Sequence, residues 1–247
     1  MSMDPTQRFS SRVEDYARYR PSYPAGVISF LERECGLTAQ TRVADIGSGT
    51  GLLAELFLRF GCELSGVEPN TEMRTAGEQM LAAWPRFHSV NGRAEATTLA
   101  EGSVELVTAA QAFHWFEPDA ARAEFRRILK PGGWVALIWN ERVQAPGLDA
   151  GYEDLVSRYA PERTRVAMSE LEYFFGAPVM RRTVVPNQQM LDRDGLRGRL
   201  FSSSYAPAAG TENYEALTRE AGRLFDEFQV NGIVTLQYTT EVYAGRV

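Results

Sequence analysis

Apolar positions along the chain recur with two different periods, and the alternation of those periods predicts the architecture. Over residues 25–34, Val27, Ile28 and Leu31 fall on one helical face. After Thr41 an apolar run ends at Asp45. Beyond a glycine-rich stretch, Leu52, Leu53, Leu56, Phe57 and Phe60 return to helical spacing. Residues 62–67 read as a second strand and residues 72–83 as the helix after it. Residues 87–90 form a short third strand and residues 104–109 a fourth. Residues 120–129 predict a helix stopped by Pro131, Gly132 and Gly133. The unbroken apolar run over 134–139 predicts a fifth strand covered on both faces. Strands alternating with helices in this way imply βαβ units on a mostly parallel sheet, so the fold class is α/β.

Past Asn140 the pattern changes. Residues 141–178 carry no clean strand, and residues 179–188 have strand propensity. Tyr214, Leu217, Ala221, Leu224, Phe225 and Phe228 mark an amphipathic helix. Val234, Leu236, Tyr238 and Val242 alternate as in a final strand. With 247 residues and no low-complexity linker, a single domain is expected.

Composition narrows the functional classes. A formal charge of −6 argues against broad phosphate-backbone binding, so no nucleic-acid partner is expected. No apolar run is long enough to span a bilayer, which predicts no membrane partner. The polar start MSMDPTQRFSSR lacks a signal segment, and a cytoplasmic location is expected. Cys35 and Cys62 cannot build a disulfide framework, and with two histidines there is no cluster at metal spacing, so no metal is expected. The single lysine, Lys130, sits at a predicted helix end, which leaves Schiff-base chemistry almost no candidate.

The stretch VADIGSGTG, residues 43–51, places three alternate glycines between a strand and a helix. Glycine allows a ligand to approach the backbone closely, and this position lies at the sheet's C-terminal edge. Gly47-x-Gly49-x-x-Leu52 misses the dinucleotide fingerprint, whereas Gly49-x-Gly51-x-x-Ala54 satisfies its loose form. Glu68, at the end of the second strand, suits a pair of ribose hydroxyls. A nicotinamide or flavin dinucleotide and S-adenosylmethionine both contain adenosine, and spacing alone leaves both open.

Taken together, VADIGSGTG, GVEPNTEM around Glu68, GRAEATTL at 92–99, AQAFHWF at 110–116 and ILKPGGWVALIWN at 128–140 resemble the class I S-adenosylmethionine-dependent methyltransferases. RFSSRVEDYARYRPSYP and GRLFSSSYAP resemble a small-molecule subgroup related to ubiquinone/menaquinone and trans-aconitate methyltransferases. The resemblance implies a Rossmann-like, seven-stranded, mostly parallel sheet ordered 3-2-1-4-5-7-6. Its last strand would be antiparallel and helices would cover both faces. It also implies an N-terminal lid over 1–24, a cofactor-binding core over 25–140, and an acceptor cover with the closing strand pair over 141–247. The cofactor would be S-adenosylmethionine, leaving as S-adenosylhomocysteine, and the partner a small-molecule acceptor. The oligomeric state stays open.

By the same resemblance Asp45 and the backbone around Gly47 and Gly49 would face the methionine portion and Glu68 the ribose, with Ser48, Gly51, Pro69 and Met73 as further cofactor contacts. Ala94 and Glu95 would face the adenine, and Ala110 and Gln111 the methionine amino group. Ser48 stands where a cysteine is frequent in this motif. His114, just past the fourth strand, is the candidate catalytic base, because an imidazole can take a proton from an acceptor hydroxyl or amine. The alternative is a histidine packed between Phe113 and Trp115, and His88 reads as structural. Tyr16, Tyr19 and Tyr23 at helical spacing suit a lid whose tyrosines cover the sulfonium while Arg20 or Arg12 meets a carboxylate, which makes Tyr19 and Arg20 candidate cofactor contacts; an amphipathic segment packed on the sheet is the alternative. Trp115 and Tyr16 are candidate acceptor contacts. Arg142 and Arg199, with Arg197 nearby, could select an anionic acceptor or could be ordinary surface arginines. A non-catalytic binder of S-adenosylmethionine, acting as a sensor or partner subunit, is the competing functional class, and a nicotinamide-dependent oxidoreductase a third.

Overall fold

The computed structural model describes residues 18–159, 166–176, 180–203 and 206–247. Its elements run α1 (Gly26–Cys35), β1 (Arg42–Ile46), α2 (Leu52–Phe60), β2 (Glu63–Val67), α3 (Thr71–Met80), β3 (Phe87–Val90) and β4 (Val104–Ala110). After a short 3-10 turn (Phe113–Trp115) come α4 (Pro118–Ile128), β5 (Leu129–Arg142), α5 (Leu148–Ser157), α6 (Met168–Phe175), β6 (Arg181–Leu191), α7 (Arg193–Phe201), α8 (Glu212–Phe228) and β7 (Val234–Gly245). The seven strands form one sheet ordered β3-β2-β1-β4-β5-β7-β6. β1 pairs in parallel with both β2 and β4, while β7 runs antiparallel to β5 and to β6. The expected order and the antiparallel last strand are both present.

Two apolar layers cover the sheet. Val27, Leu31, Phe57 and Leu64 belong to the layer beneath α1 and α2. Phe113, Phe125, Leu137 and Phe174 belong to the opposite layer, beneath α4 and α6. A third cluster joins Tyr152 of α5, Leu196 and Phe201 of α7, Phe225 of α8 and Leu236 of β7. Val135 to Ile138 are fully buried, which accounts for the uninterrupted apolar run in β5.

Several boundaries differ from the expectation: the helix expected over 72–83 is Thr71–Met80, the strand expected over 134–139 is Leu129–Arg142, and the end of the helix before β5 has a clear physical reason. The helix preceding β5 ends at Ile128, ahead of the Pro-Gly-Gly stretch, and Leu129 is already extended and paired with Val104. Lys130 precedes Pro131, and the proline ring disfavours helical dihedrals at the residue before it. Leu129 is also buried, so the extended form gains sheet pairing and apolar contact together. Among the described residues no helix is long and apolar enough to cross a membrane, and no group of His, Cys, Asp and Glu could hold a metal ion.

Candidate cofactor and acceptor site

The site begins where β1 ends. Gly47 (φ +68°), Gly49 (φ +56°) and Gly51 (φ +86°) all occupy the left-handed region, which suits glycine. Space also matters at two of them: a Cβ on Gly47 would lie 2.6 Å from the Ala112 Cβ, and one on Gly51 would lie 2.5 Å from Leu81 Cδ1. The loop is tied to β2, because the Gly47 and Ser48 amides donate to the Val67 carbonyl at 2.8 and 3.2 Å.

Glu68 follows directly and is nearly buried, at 8% exposed. One carboxylate oxygen accepts from the Gly49 amide (3.0 Å) and the other from the Asn70 amide (2.9 Å). Each oxygen keeps further acceptor capacity, which suits two ribose hydroxyls. Asn70 caps α3 by accepting from the Met73 amide at 2.8 Å, and buried Met73 lies beside Gly49. Pro69, half-buried, links the two. Arg74 reaches back to donate to the Glu68 main-chain carbonyl at 2.9 Å.

Asp45 is 1% exposed and accepts a 2.7 Å hydrogen bond from the Thr108 hydroxyl, its cross-strand neighbour on β4. Burial pushes its carboxyl from 3.8 up to about 7; the Thr108 bond opposes the rise and the nearby Glu68 charge adds to it. Desolvation likewise raises Glu68, against the pull of the Asn70 and Gly49 amides and Arg74. The glycine loop is therefore flanked by two buried carboxylates. Thr50, in the same loop, is 1% exposed, and its hydroxyl lacks a hydrogen-bond partner among the described residues.

Further along, Ala94 is buried and the Glu95 carboxylate accepts from the Glu117 amide at 2.9 Å. The loop carrying them is fixed by Thr97, whose amide and hydroxyl both donate to Glu124 at 2.8 and 2.6 Å. Glu124 is drawn down to about 2, chiefly by its bond from Arg127. Ala110 ends β4, and Gln111 takes a left-handed φ of +55°. The Gln111 side-chain amide donates to the Asn140 carbonyl at 3.0 Å.

The turn after β4 touches the glycine loop, since Ala112 and the Phe116 ring both lie against Gly47. It sorts its aromatics by direction. Phe113 enters the core, its ring centroid 4.8 Å from Phe174, whereas His114 and Trp115 are exposed with their centroids 4.8 Å apart. Packing of His114 between Phe113 and Trp115 is therefore not what the fold does. His88 is exposed on edge strand β3 and hydrogen-bonds Glu63 at 3.1 Å.

Arg142 and Arg199 are not surface arginines. The Arg142 side chain is 6% exposed and its Nε lies 2.6 Å from Glu153. Arg199 is 3% exposed and donates to the Tyr238 hydroxyl at 3.1 Å. Arg197, by contrast, is exposed and 3.5 Å from Asp194. Arg20 donates to the Ser202 carbonyl at 3.1 Å. The Tyr19 ring covers Gly198 of α7, where a Cβ would approach it to 2.2 Å. Tyr16 and Arg12, with residues 1–17 of the lid expected over 1–24, lie outside the described residues.

The chain matches a family model described as a methyltransferase domain over residues 44–137. It is 36% identical over 168 residues to an uncharacterized methyltransferase of Mycobacterium tuberculosis, the match covering 68% of this chain and 66% of that protein. An uncharacterized methyltransferase-like protein of Schizosaccharomyces pombe is 27% identical over 243 residues, covering 96% of this chain and 94% of that one. Among solved structures, a type II methyltransferase from Anaeromyxobacter dehalogenans superposes with a TM-score of 0.72 at 24% identity, over 92% of this chain and 98% of that one.

Proposed function

Because the chain belongs to the class I S-adenosylmethionine-dependent methyltransferase family, we propose that it transfers a methyl group from S-adenosylmethionine to a small-molecule nucleophile by in-line displacement. The observation that carries the choice of ligand is the buried carboxyl of Asp45 beside the glycine loop, since Glu68 suits the ribose of either candidate. A dinucleotide would bring an anionic pyrophosphate to this loop, next to Asp45. S-adenosylmethionine brings a sulfonium and an ammonium, and opposite charge in a desolvated site is strongly favoured.

The left-handed glycine loop after β1 would face the methionine portion, with Glu68 toward the ribose and the buried loop at Ala94 toward the adenine. When bound, S-adenosylmethionine supplies a methyl group already electrophilic on sulfur and leaves as S-adenosylhomocysteine. The protein's task is then alignment and exclusion of water, effects worth roughly 7–11 kcal/mol in favourable systems. His114, exposed on the turn that abuts Gly47, is the group that would accept the acceptor's proton.

The test is an acceptor screen that follows S-adenosylhomocysteine release, then His114→Ala and His114→Gln on the best acceptor. A base at this position predicts a 10²–10⁴-fold fall in turnover and loss of the alkaline-rising limb of the rate profile. Full turnover across pH in His114→Ala would remove His114 from the chemistry. Cofactor binding with no product from any acceptor would favour the sensor or partner-subunit reading.

A further inference from the structure

The C-terminal end of β5 carries a side chain whose bonding capacity is fully used and which the cofactor motifs do not include. Asn140 is 8% exposed. Its Nδ2 donates to the carbonyls of Pro21 (3.4 Å) and Ser22 (3.2 Å). Its Oδ1 accepts from the Thr240 hydroxyl at 2.5 Å and from Asn187 Nδ2 at 3.2 Å. Its main-chain carbonyl accepts from Gln111. A carboxamide has two donors and one acceptor oxygen, and here every one is engaged. The orientation has a single solution, because the flipped amide would face its oxygen toward two carbonyls.

Residues 19–22 are held by carbonyls throughout. Asn187 donates to Ser22 at 2.8 Å, and Gln189 donates to Tyr19 at 2.9 Å. Three carboxamides, one on β5 and two on β6 across β7, thus grip one short segment, and Asn140 alone also meets the turn that carries Gln111. We propose that Asn140 is a positioning residue that clasps residues 19–22 to the acceptor side of the active site, in fixed register with the cofactor turn. Its role in turnover rests on the function proposed above; the clasp itself does not.

Asn140→Asp keeps the shape and inverts one interaction. An ionised carboxylate would point an oxygen at the Pro21 and Ser22 carbonyls and release the segment. Once protonated, its O–H donates to one of them and restores the clasp. The variant therefore gains a pH dependence of opposite sense to a titrating base: the clasp holds at low pH and opens as pH rises. The Gln111 bond goes to a main-chain oxygen that every variant retains.

The experiment compares full-length wild type, Asn140→Ala, Asn140→Asp and Asn187→Ala, after circular dichroism, by the rate at which trypsin releases fragment 19–247. Arg18 is exposed, whereas the bond after Arg20 precedes proline and resists trypsin. We expect about 10-fold faster cleavage after Arg18 in Asn140→Ala, consistent with the loss of a buried hydrogen-bond pair. Relative to wild type at each pH, Asn140→Asp should cleave near the wild-type rate at pH 6 and near the alanine rate at pH 8.5. Acceptor KM should rise about 10-fold with S-adenosylmethionine KM within about 2-fold. Half-buried Asn187 leaves no hole, so Asn187→Ala decides the clasp if Asn140→Ala does not fold. Wild-type cleavage in both alanine variants, a wild-type rate for Asn140→Asp at both pH values, or equal rises in both KM values would each overturn the proposal. A wild type that methylates nothing contradicts the proposed function alone, and cleavage still decides the clasp.

Discussion

At the scale of single residues, Asp45 carries the sharpest consequence. Its carboxyl stands at about 7 in the fold against 3.8 ordinarily, because it is taken out of water. The folded value is the higher one, so between about pH 4 and 7 the native state holds a proton that the unfolded chain has lost. Stability of the ligand-free protein should be greatest below that window and decline as pH rises through it, by about 4 kcal/mol at most. Asn at position 45 has nothing to ionise, so Asp45→Asn should flatten the decline in thermal melts run from pH 4 to 8. Binding of a cation should pull the proton off: near pH 6, calorimetry in buffers of different ionisation enthalpy should show proton release in wild type and none in the variant. Asp45, Glu68 and the glycines were legible in the sequence because one short motif contains them or points to them. Thr108, which bonds Asp45, was not, since only the register of β1 against β4 brings the two together. Asn140 escaped for the same reason: its partners Ser22, Asn187 and Thr240 come from segments far apart in the chain.

At the scale of elements, the glycine loop is a tight connection between β1 and α2 whose shape depends on space as much as on dihedral angle. Gly47→Ala would meet both penalties, a left-handed φ and a 2.6 Å clash with Ala112. The turn bearing His114 would have to move to accommodate it. We expect at least about a 10-fold loss of S-adenosylmethionine affinity and a lower melting temperature, read by calorimetry and by thermal denaturation. Element identity and order over residues 25–140 followed from periodicity because helix and strand bury different residue patterns, whereas α5, α6 and α7 were not read from it. The end of α4 was misplaced because helix-stopping signals at Pro131 and the glycines are visible locally, whereas the pairing of Leu129 with Val104 is not. Burial of Arg142 and Arg199 was equally hidden, since arginine is ordinarily a surface residue and both are enclosed by α5, α7 and β7.

At the scale of the whole molecule, three apolar clusters divide the labour. The layer beneath α1 and α2 holds Phe57 of α2, the helix the glycine loop leads into, and Leu81, which lies against Gly51, whereas the cluster of α5, α7, α8 and the upper part of β7 stands on the side of Arg199 and residues 19–22. Phe57→Ala should cost about 3–5 kcal/mol and weaken S-adenosylhomocysteine binding as the loop loses its footing. Leu196→Ala should cost about 2–5 kcal/mol yet leave that affinity within about 2-fold, because its cluster does not underlie the loop. Thermal melts paired with calorimetric titration separate the two outcomes, and equal loss of affinity in both would contradict the division.

The central claim is that buried Asp45 beside the glycine loop favours an adenosyl ligand with an ammonium group over one with a pyrophosphate, while Glu68 takes its ribose. The most direct test is parallel calorimetric titration of the wild-type protein with S-adenosylmethionine, S-adenosylhomocysteine and NAD at pH 7.5. Binding of the first two and none of NAD is the predicted result. Binding of NAD without the other two would contradict the account.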